Sequence, residues 1–149
     1  MGTVKLALLV ISIVQILSTL IGFVTLLVTP DAYTFMLQGT LLAGQYFLAA
    51  ILLGLVVGGF QWLAAVAHLR APRWAPLAHA LAGLVMLGWI FGECLVLNMF
   101  IWPHAVWGGL GVLQMALVLV LLGVLKPLTV TPPAPRGRKG WTPHRDAGE

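Results

Sequence analysis

The sequence predicts an all-α membrane protein, an antiparallel bundle of four transmembrane helices with both termini in the cytoplasm. The first reason is composition: of 149 residues, 60% are hydrophobic and only 8% charged, against roughly 25% charged in an ordinary soluble domain. The mean hydropathy of +1.03 also excludes a disordered chain, because disorder requires low hydrophobicity and high charge. The other two reasons are four long apolar segments and a one-sided distribution of basic residues.

Four segments are long enough to cross a bilayer, whose hydrocarbon core of about 30 Å needs about 20 apolar helical residues. They lie at about residues 6–28, 41–67, 77–101 and 106–125. We expect helices because a helix satisfies its own backbone hydrogen bonds, whereas four short strands cannot close a barrel. The first segment is too long for a secretory signal, so we expect it to be retained. Residues 1–125 should therefore form one transmembrane domain.

The basic residues predict the orientation, because Lys and Arg near the ends of spans stay on the cytoplasmic side. All eight fall on one side of the predicted membrane, and the opposite loops, 29–40 and 102–105, carry none. These residues are Lys5, Arg70, Arg73, Lys126, Arg136, Arg138, Lys139 and Arg145. Both termini are therefore predicted to be cytoplasmic.

Residues 126–149 form a basic, proline-rich tail that we expect to be disordered, because it has too little apolar surface to offset its ordering entropy. One interpretation is a solubilising tail that satisfies the charge rule. The other is contact with anionic lipid or an acidic partner, each basic residue contributing about 1 kcal/mol. The residues that would make this contact are Arg136, Arg138, Lys139 and Arg145.

Glu93 is the one acidic residue inside a predicted span. An ionised carboxylate costs about 2.5 to 3.5 kcal/mol at the bilayer centre, so we expect a protonated acid that faces protein. If the chain turns at Pro103-His104, Gln114 comes level with Glu93, and its amide can both donate to and accept from the acid. The residues of the first predicted span that can reach this level are Gln15, Ser18 and Thr19.

Three interpretations of this intramembrane polar cluster remain open. It can be a hydrogen-bonded clamp between helices, with each bond contributing well under 2 kcal/mol. It can be a proton relay, an ion site or a polar ligand site, because ionisable residues inside a membrane are functional candidates by default. It can also contact another subunit. One carboxyl and scattered amides do not form a continuous path, which favours the clamp.

Small residues indicate where helices approach closely. Two glycine pairs have the G-x-x-x-G spacing that lets another backbone pack against them: Gly54 and Gly58 in the second predicted span, and Gly88 and Gly92 in the third. They can serve packing inside the bundle or association with a partner. A stripe at helical spacing marks the protein-facing side of the first span, and it comprises Ser12, Gln15, Thr19 and Gly22.

The sequence predicts no cofactor, no metal site and no catalytic residue. A single cysteine, Cys94, excludes an internal disulfide, a Cys-only zinc site and a dithiol redox motif. His68 and His79 lie at span ends, where a haem held between them would be partly outside the membrane. No cluster has metal-ligand spacing, and no nucleotide or nucleophile motif occurs. The isoelectric point of about 9.9 follows from the one-sided basic residues and does not indicate nucleic-acid binding.

Three short motifs support a family resemblance: Pro30-Asp31 after the first span, Trp89 to Glu93 in the third, and Trp107 to Gly111 at the start of the fourth. Through them the chain from Gln15 to Gly123 resembles a group of small uncharacterised four-span membrane proteins of high-GC bacteria. Several members carry Gln-Pro where this chain has Trp102-Pro103-His104. The resemblance implies the bacterial cytoplasmic membrane as location and no established activity.

We expect a non-catalytic accessory or assembly subunit of a larger membrane complex, because packing surface is plentiful and catalytic motifs are missing from the sequence. The alternative is a small oligomeric proton-coupled transporter or channel that uses Glu93. Small multidrug transporters have a similar span count and one membrane acid, although theirs lies in the first span. A membrane enzyme or a quinone- or lipid-binding protein is a third possibility. The expected partners are membrane lipids and a larger complex or a homo-oligomer.

Overall fold

A computed structural model of the protein describes residues 2–124, and all regular structure in this range is helical. Four helices are long and apolar enough to cross a membrane: Gly2–Val28, Tyr46–Arg70, Ala75–Leu97 and Trp102–Leu121. They are called spans one to four below. The all-helical class and the four membrane-spanning helices are thus confirmed. The tail and its four predicted contact residues, Arg136, Arg138, Lys139 and Arg145, lie outside the described residues.

The ends of the spans differ from the predicted ends for local conformational reasons. Span two begins only at Tyr46, because Gly39 and Gly44 turn the chain with φ of 77° and 75°, a region that glycine enters without steric cost. Span three ends at Leu97, since Asn98 takes the left-handed conformation with φ of 48°. Span four starts at Trp102, with a proline in the first turn.

The loop between spans one and two covers one end of the bundle. It contains a 3₁₀ turn, Pro30–Tyr33, and one helical turn, Thr34–Leu37. The Thr34 hydroxyl lies 3.0 Å from the Tyr46 hydroxyl, which ties the loop to the start of span two. Leu37, at the end of this helical turn, is buried.

The four spans pack in a ring in which spans one and three each contact both spans two and four. Between spans two and three, toward the connecting turn at 71–74, the core consists of alanines: Ala64, Ala67, Ala78 and Ala82. Such small residues allow close approach of helix backbones. Farther from that turn the core side chains are larger, and they include Val57, Met86 and Ile90.

The outside of the bundle is apolar and the centre is polar. Large side chains such as Ile21, Leu55 and Phe91 are each more than 60% exposed, whereas three glutamines and a histidine are fully buried. In a bilayer the exposed apolar side chains contact lipid tails at little cost in free energy, and the buried polar groups find hydrogen-bond partners inside the bundle. The protein is therefore an integral membrane protein.

Candidate functional site

A cluster of five polar side chains occupies the centre of the bundle, each with no exposed surface. Every span contributes at least one member. The residues of this central cluster are Ser12, Gln15, Gln61, His79 and Gln114. Because lipid cannot satisfy such groups, their only available partners are one another and the backbone.

The three amides of the central cluster join spans one, two and four. The Gln61 amide nitrogen lies 2.8 Å from Gln15 Oε1 and 3.2 Å from Gln114 Oε1, and it also faces the Ala82 carbonyl of span three at 3.3 Å. In return, the Gln114 nitrogen donates to Gln61 Oε1 at 3.2 Å. The reciprocal contacts of Gln61 and Gln114 form the centre of an interhelical clamp.

A contact between His79 of the central cluster and His68 extends the hydrogen-bonded chain toward the end of the bundle where span two ends. This end is called the His68 end. His79 Nδ1 lies 3.1 Å from the Gln114 amide nitrogen and 3.3 Å from Ser12 Oγ. When the amide donates to Nδ1, the His79 proton resides on Nε2, which lies 3.0 Å from His68 Nδ1. His68 is partly exposed, so the hydrogen-bonded chain reaches from the bundle centre to its surface.

The chemistry of this cluster suits a clamp better than a proton relay. An amide donates and accepts hydrogen bonds but does not give up a proton at ordinary pH, so Gln15, Gln61 and Gln114 interrupt any relay from His79. Within residues 2–124 every buried side-chain nitrogen and oxygen has a hydrogen-bond partner. Fully satisfied polar networks of this kind make a bundle rigid and specify its register.

The predicted pairing of Glu93 with Gln114 is wrong. Gln114 belongs to the central cluster, and the chain turns at residues 98–101 instead of at Pro103, which lies in the first turn of span four. Proline is favoured there because the first helical N–H groups have no partner within the helix. The Gln114 amide nitrogen lies 3.1 Å from His79 Nδ1, which places Gln114 about four helical turns along span three from Glu93.

Glu93 instead faces His104, at the other end of the bundle, called the Glu93 end. His104 Nε2 and Glu93 Oε2 are 3.6 Å apart, with the imidazole almost fully buried and 29% of the carboxyl side chain exposed. The Ile101 backbone N–H donates to His104 Nδ1 at 3.1 Å. Nδ1 therefore keeps its lone pair, and the ring proton sits on Nε2, directed at the acid.

The two hydroxyls predicted to reach Glu93 from span one have different surroundings. Thr19 is 4% exposed, and its hydroxyl donates within its own helix, to the carbonyls of Gln15 or Ile16 at 2.9 and 3.0 Å. Ser18 is partly exposed. Neither side chain forms a hydrogen bond with a side chain of the central cluster. Both residues line the same cavity as Glu93.

Two adjoining cavities lie at the Glu93 end. The first, of about 300 Å³, is called the polar chamber. Its polar and aromatic lining is Ser18, Thr19, Trp89, Glu93, His104 and Trp107. The second, of about 370 Å³, is called the apolar crevice, and its lining includes Leu26, Leu37, Leu41, Leu52, Gly88 and Gly92. Both also touch Tyr33, Met36, Leu53, Trp89 and Glu93, so Glu93 lies where they meet.

The predicted glycine pairs have different roles. A Cβ at Gly54 would lie 2.5 Å from the Phe23 ring, and one at Gly58 would lie 2.8 Å from the Thr19 hydroxyl, so this pair packs span two on span one. A Cβ at Gly88 or Gly92 would meet no atom of the described chain within 4 Å. The second pair therefore does not pack inside the described bundle.

Several residues of the site were missed from the sequence. Gln61 was detectable, since it is the only side chain with a hydrogen-bonding amide in the interior of span two. His79 was considered only as a haem ligand, although its placement among alanines of span three is typical of a buried position. The close contact of spans three and four at Gly83 and Gly111, where a Cβ at Gly83 would lie 3.2 Å from the Gly111 carbonyl, leaves no distinctive spacing in the sequence.

Among the described residues, no three His, Cys, Asp or Glu side chains lie close enough together to hold a metal ion. The resemblance to four-span proteins of high-GC bacteria stays a prediction. Comparisons with protein-family models, curated proteins and solved structures find no match to this chain.

Proposed function

We propose that the chain is a non-catalytic accessory or assembly subunit of a larger membrane protein complex, located in a bacterial cytoplasmic membrane. In this proposal the four spans form an antiparallel bundle with both termini in the cytoplasm. The topology rests on the eight basic residues, all on one side in the sequence. The His68 end is then cytoplasmic, and the Glu93 end faces the opposite compartment.

The observation that carries the proposal is the open Gly88–Gly92 strip. Gly88 is exposed, and Phe91 and Leu95 beside it are 68% and 66% exposed. Without side chains at two positions one turn apart, a partner helix can approach the backbone of span three closely. The other glycine pair is already used against span one, so the strip is a packing surface that this bundle leaves free.

The central cluster supports a structural role. Its amides bind the spans to one another and offer no transferable proton, which suits a rigid scaffold with a fixed outer surface. A small proton-coupled transporter or channel is the second candidate. It is favoured by one observation: polar side chains follow the interior from His68 through the central cluster to the polar chamber at Glu93.

The experiment is recovery of partners with the tagged full-length chain, extracted from native membranes in mild detergent and analysed by mass spectrometry. We expect other chains in fixed ratio. Gly88→Ile and Gly92→Ile should lose them while membrane yield and unfolding stay close to wild type. Gly109→Ile is the matched control, because Gly109 is exposed on span four and a Cβ there also meets nothing within 4 Å in the described chain.

A different result would reverse the order of the two candidates. If the wild-type chain purifies only as a homo-oligomer, and liposomes containing it move protons in a manner that Glu93→Gln abolishes, the accessory role is wrong. Loss of partners in the Gly109→Ile control as well would also contradict the assignment of the strip, because the effect would then not be local to span three.

A further inference from the structure

The polar chamber and the apolar crevice form one amphipathic site. They share Glu93, Trp89 and Tyr33 in their walls, and their volumes of about 300 and 370 Å³ fall in the range of small-ligand cavities. The chamber lining includes a carboxyl, an imidazole and three hydroxyl groups, those of Ser18, Thr19 and Tyr33. The crevice presents mainly leucines and glycines. A ligand that fills both must therefore have a polar head and an apolar chain.

The donors and acceptors of the chamber have defined roles. Because His104 Nδ1 accepts from the Ile101 backbone, the imidazole can offer only its Nε2–H to a ligand. At 3.6 Å this N–H is too far from Glu93 for a strong hydrogen bond. A ligand oxygen can therefore accept from His104 while a neighbouring ligand hydroxyl donates to Glu93, or accepts from it when the acid is protonated.

The charge of the chamber restricts the head. Among the residues of the described chain that line the two cavities, none is Lys or Arg, so a phosphate or carboxylate head would meet Glu93 with no cation to balance it. Trp89 and Trp107 offer flat surfaces in the chamber wall. These features favour a small, planar, uncharged head that carries oxygen acceptors and stacks on aromatic rings.

The crevice gives a chain access from the lipid. Leu41 in its wall is 87% exposed, and Gly88 is exposed as well, so the crevice opens on the outer surface of the bundle. An apolar tail can thus lie in the crevice and continue into the bilayer without leaving an apolar environment.

We infer that the chamber and crevice bind a lipid-soluble amphiphile with a planar, uncharged, oxygen-bearing head and an apolar tail, the chemistry of an isoprenoid quinone or its quinol. The head lies in the polar chamber beside Glu93 and His104, and the tail follows the crevice. This site goes beyond the accessory role. Gly88 and Gly92 line the crevice as well as forming the open strip, so a ligand tail and a partner helix would compete for this wall of span three.

The test uses the purified full-length chain in detergent, titrated with decylubiquinone while tryptophan fluorescence is followed. We expect saturable quenching, because the quinone head comes to lie beside two tryptophans. The quenching should fall in Trp89→Phe and in Trp107→Phe. It should not fall in Trp74→Phe, whose ring lies at the distant His68 end outside both cavities. Three further probes show which feature of the ligand is bound. Decylbenzene has an apolar tail without a polar head, decanoate has a tail with an anionic head, and tetraphenylphosphonium is a lipophilic cation.

Two variants test the head contacts. His104→Asn keeps an acceptor for the Ile101 N–H and removes the donor to the ligand, and Glu93→Leu removes the acid at similar volume. Each should weaken decylubiquinone binding about tenfold, as expected for one lost hydrogen bond to a polar site. Thr25→Val is the control, since it removes a hydroxyl of span one outside both cavities and should change nothing.

Several outcomes overturn the inference. Saturable binding of decylbenzene as tight as that of decylubiquinone would mean that the crevice holds any apolar chain. Tighter binding of tetraphenylphosphonium, lost in Glu93→Leu, would make this a cation site. Decanoate binding as tight as quinone, or no saturable quinone binding, also rejects it. Apart from the Glu93→Leu measurement, these comparisons use the wild-type protein. They therefore test the inference even if the variants fail to fold, and they do not depend on partner recovery.

Discussion

The amide clamp can be tested by Gln61→Leu. The Gln61 nitrogen has three acceptors within 3.3 Å, namely Gln15 Oε1, Gln114 Oε1 and the Ala82 carbonyl, but its two protons can serve only two of them at once. Its oxygen accepts one further bond from Gln114. Three bonds are therefore lost.

At the average of about 0.6 kcal/mol measured for bonds between membrane helices, three bonds amount to about 2 kcal/mol. Leucine regains little of this, because lipid tails are as apolar as the side chain and supply no hydrophobic driving force. We expect Gln61→Leu to lower the free energy of unfolding by about 2 kcal/mol. The assay is reversible unfolding by SDS in mixed micelles, followed by circular dichroism.

The control is Gln38→Leu, the same chemical change at an exposed loop position, which should shift the free energy of unfolding by less than about 0.5 kcal/mol. A double-mutant cycle with Gln15→Leu isolates the 2.8 Å bond and should give a favourable coupling of at least about 0.6 kcal/mol. If Gln61→Leu unfolds at the same SDS concentration as wild type, or the cycle shows no coupling, the central cluster does not hold the spans together.

Two further predictions concern the Glu93 end and the topology. Glu93→Gln should keep near-wild-type membrane yield, because an uncharged amide of nearly the same size replaces the acid in the cavity wall. Glu93→Lys should lower both yield and resistance to SDS, since it places a cation in an apolar wall next to a histidine. Equal yields for the two variants would contradict this. Reporter fusions at Ala32 and at the C-terminus should report opposite compartments, as expected from the basic residues, and equal signals at both sites would refute the topology.

The long-range layout of the spans was accessible from the sequence because it depends on composition averaged over about 20 residues. The protein-facing side of span one was also accessible, because polar residues at helical spacing must avoid lipid. Its predicted members Ser12, Gln15 and Thr19 are buried. The ends of spans depend on single backbone conformations. Asn98 ends span three by adopting a left-handed φ, which its neighbours in sequence do not reveal.

The pairing of residues across spans was harder to predict. In an antiparallel hairpin, each residue by which the turn is misplaced shifts the facing residues of the two helices by two positions. A turn centred on Pro103 predicts that Gln114 lies level with Glu93. Because Pro103 lies in the first helical turn of span four instead, Gln114 belongs to the central cluster and Glu93 faces His104. His104 was overlooked for the same reason, as it was placed in the turn and not in a helix that faces span three. An almost fully buried histidine next to the only acid within a span became apparent only once the register was known.

The two halves of the bundle differ in side-chain size at the helix interfaces, and this difference helps to explain why the polar chamber lies at the Glu93 end. Toward the His68 end, Ala64 and Ala82 meet between spans two and three, and Gly83 faces Gly111 between spans three and four, so the backbones come close. Toward the Glu93 end the core side chains are larger, and Trp89 and Trp107 pack against them. Large side chains of different shapes leave a space that none of them fills completely, and the polar chamber with Glu93 and His104 is that space. The central cluster holds the spans to one another by hydrogen bonds, so the fold does not depend on filling the chamber.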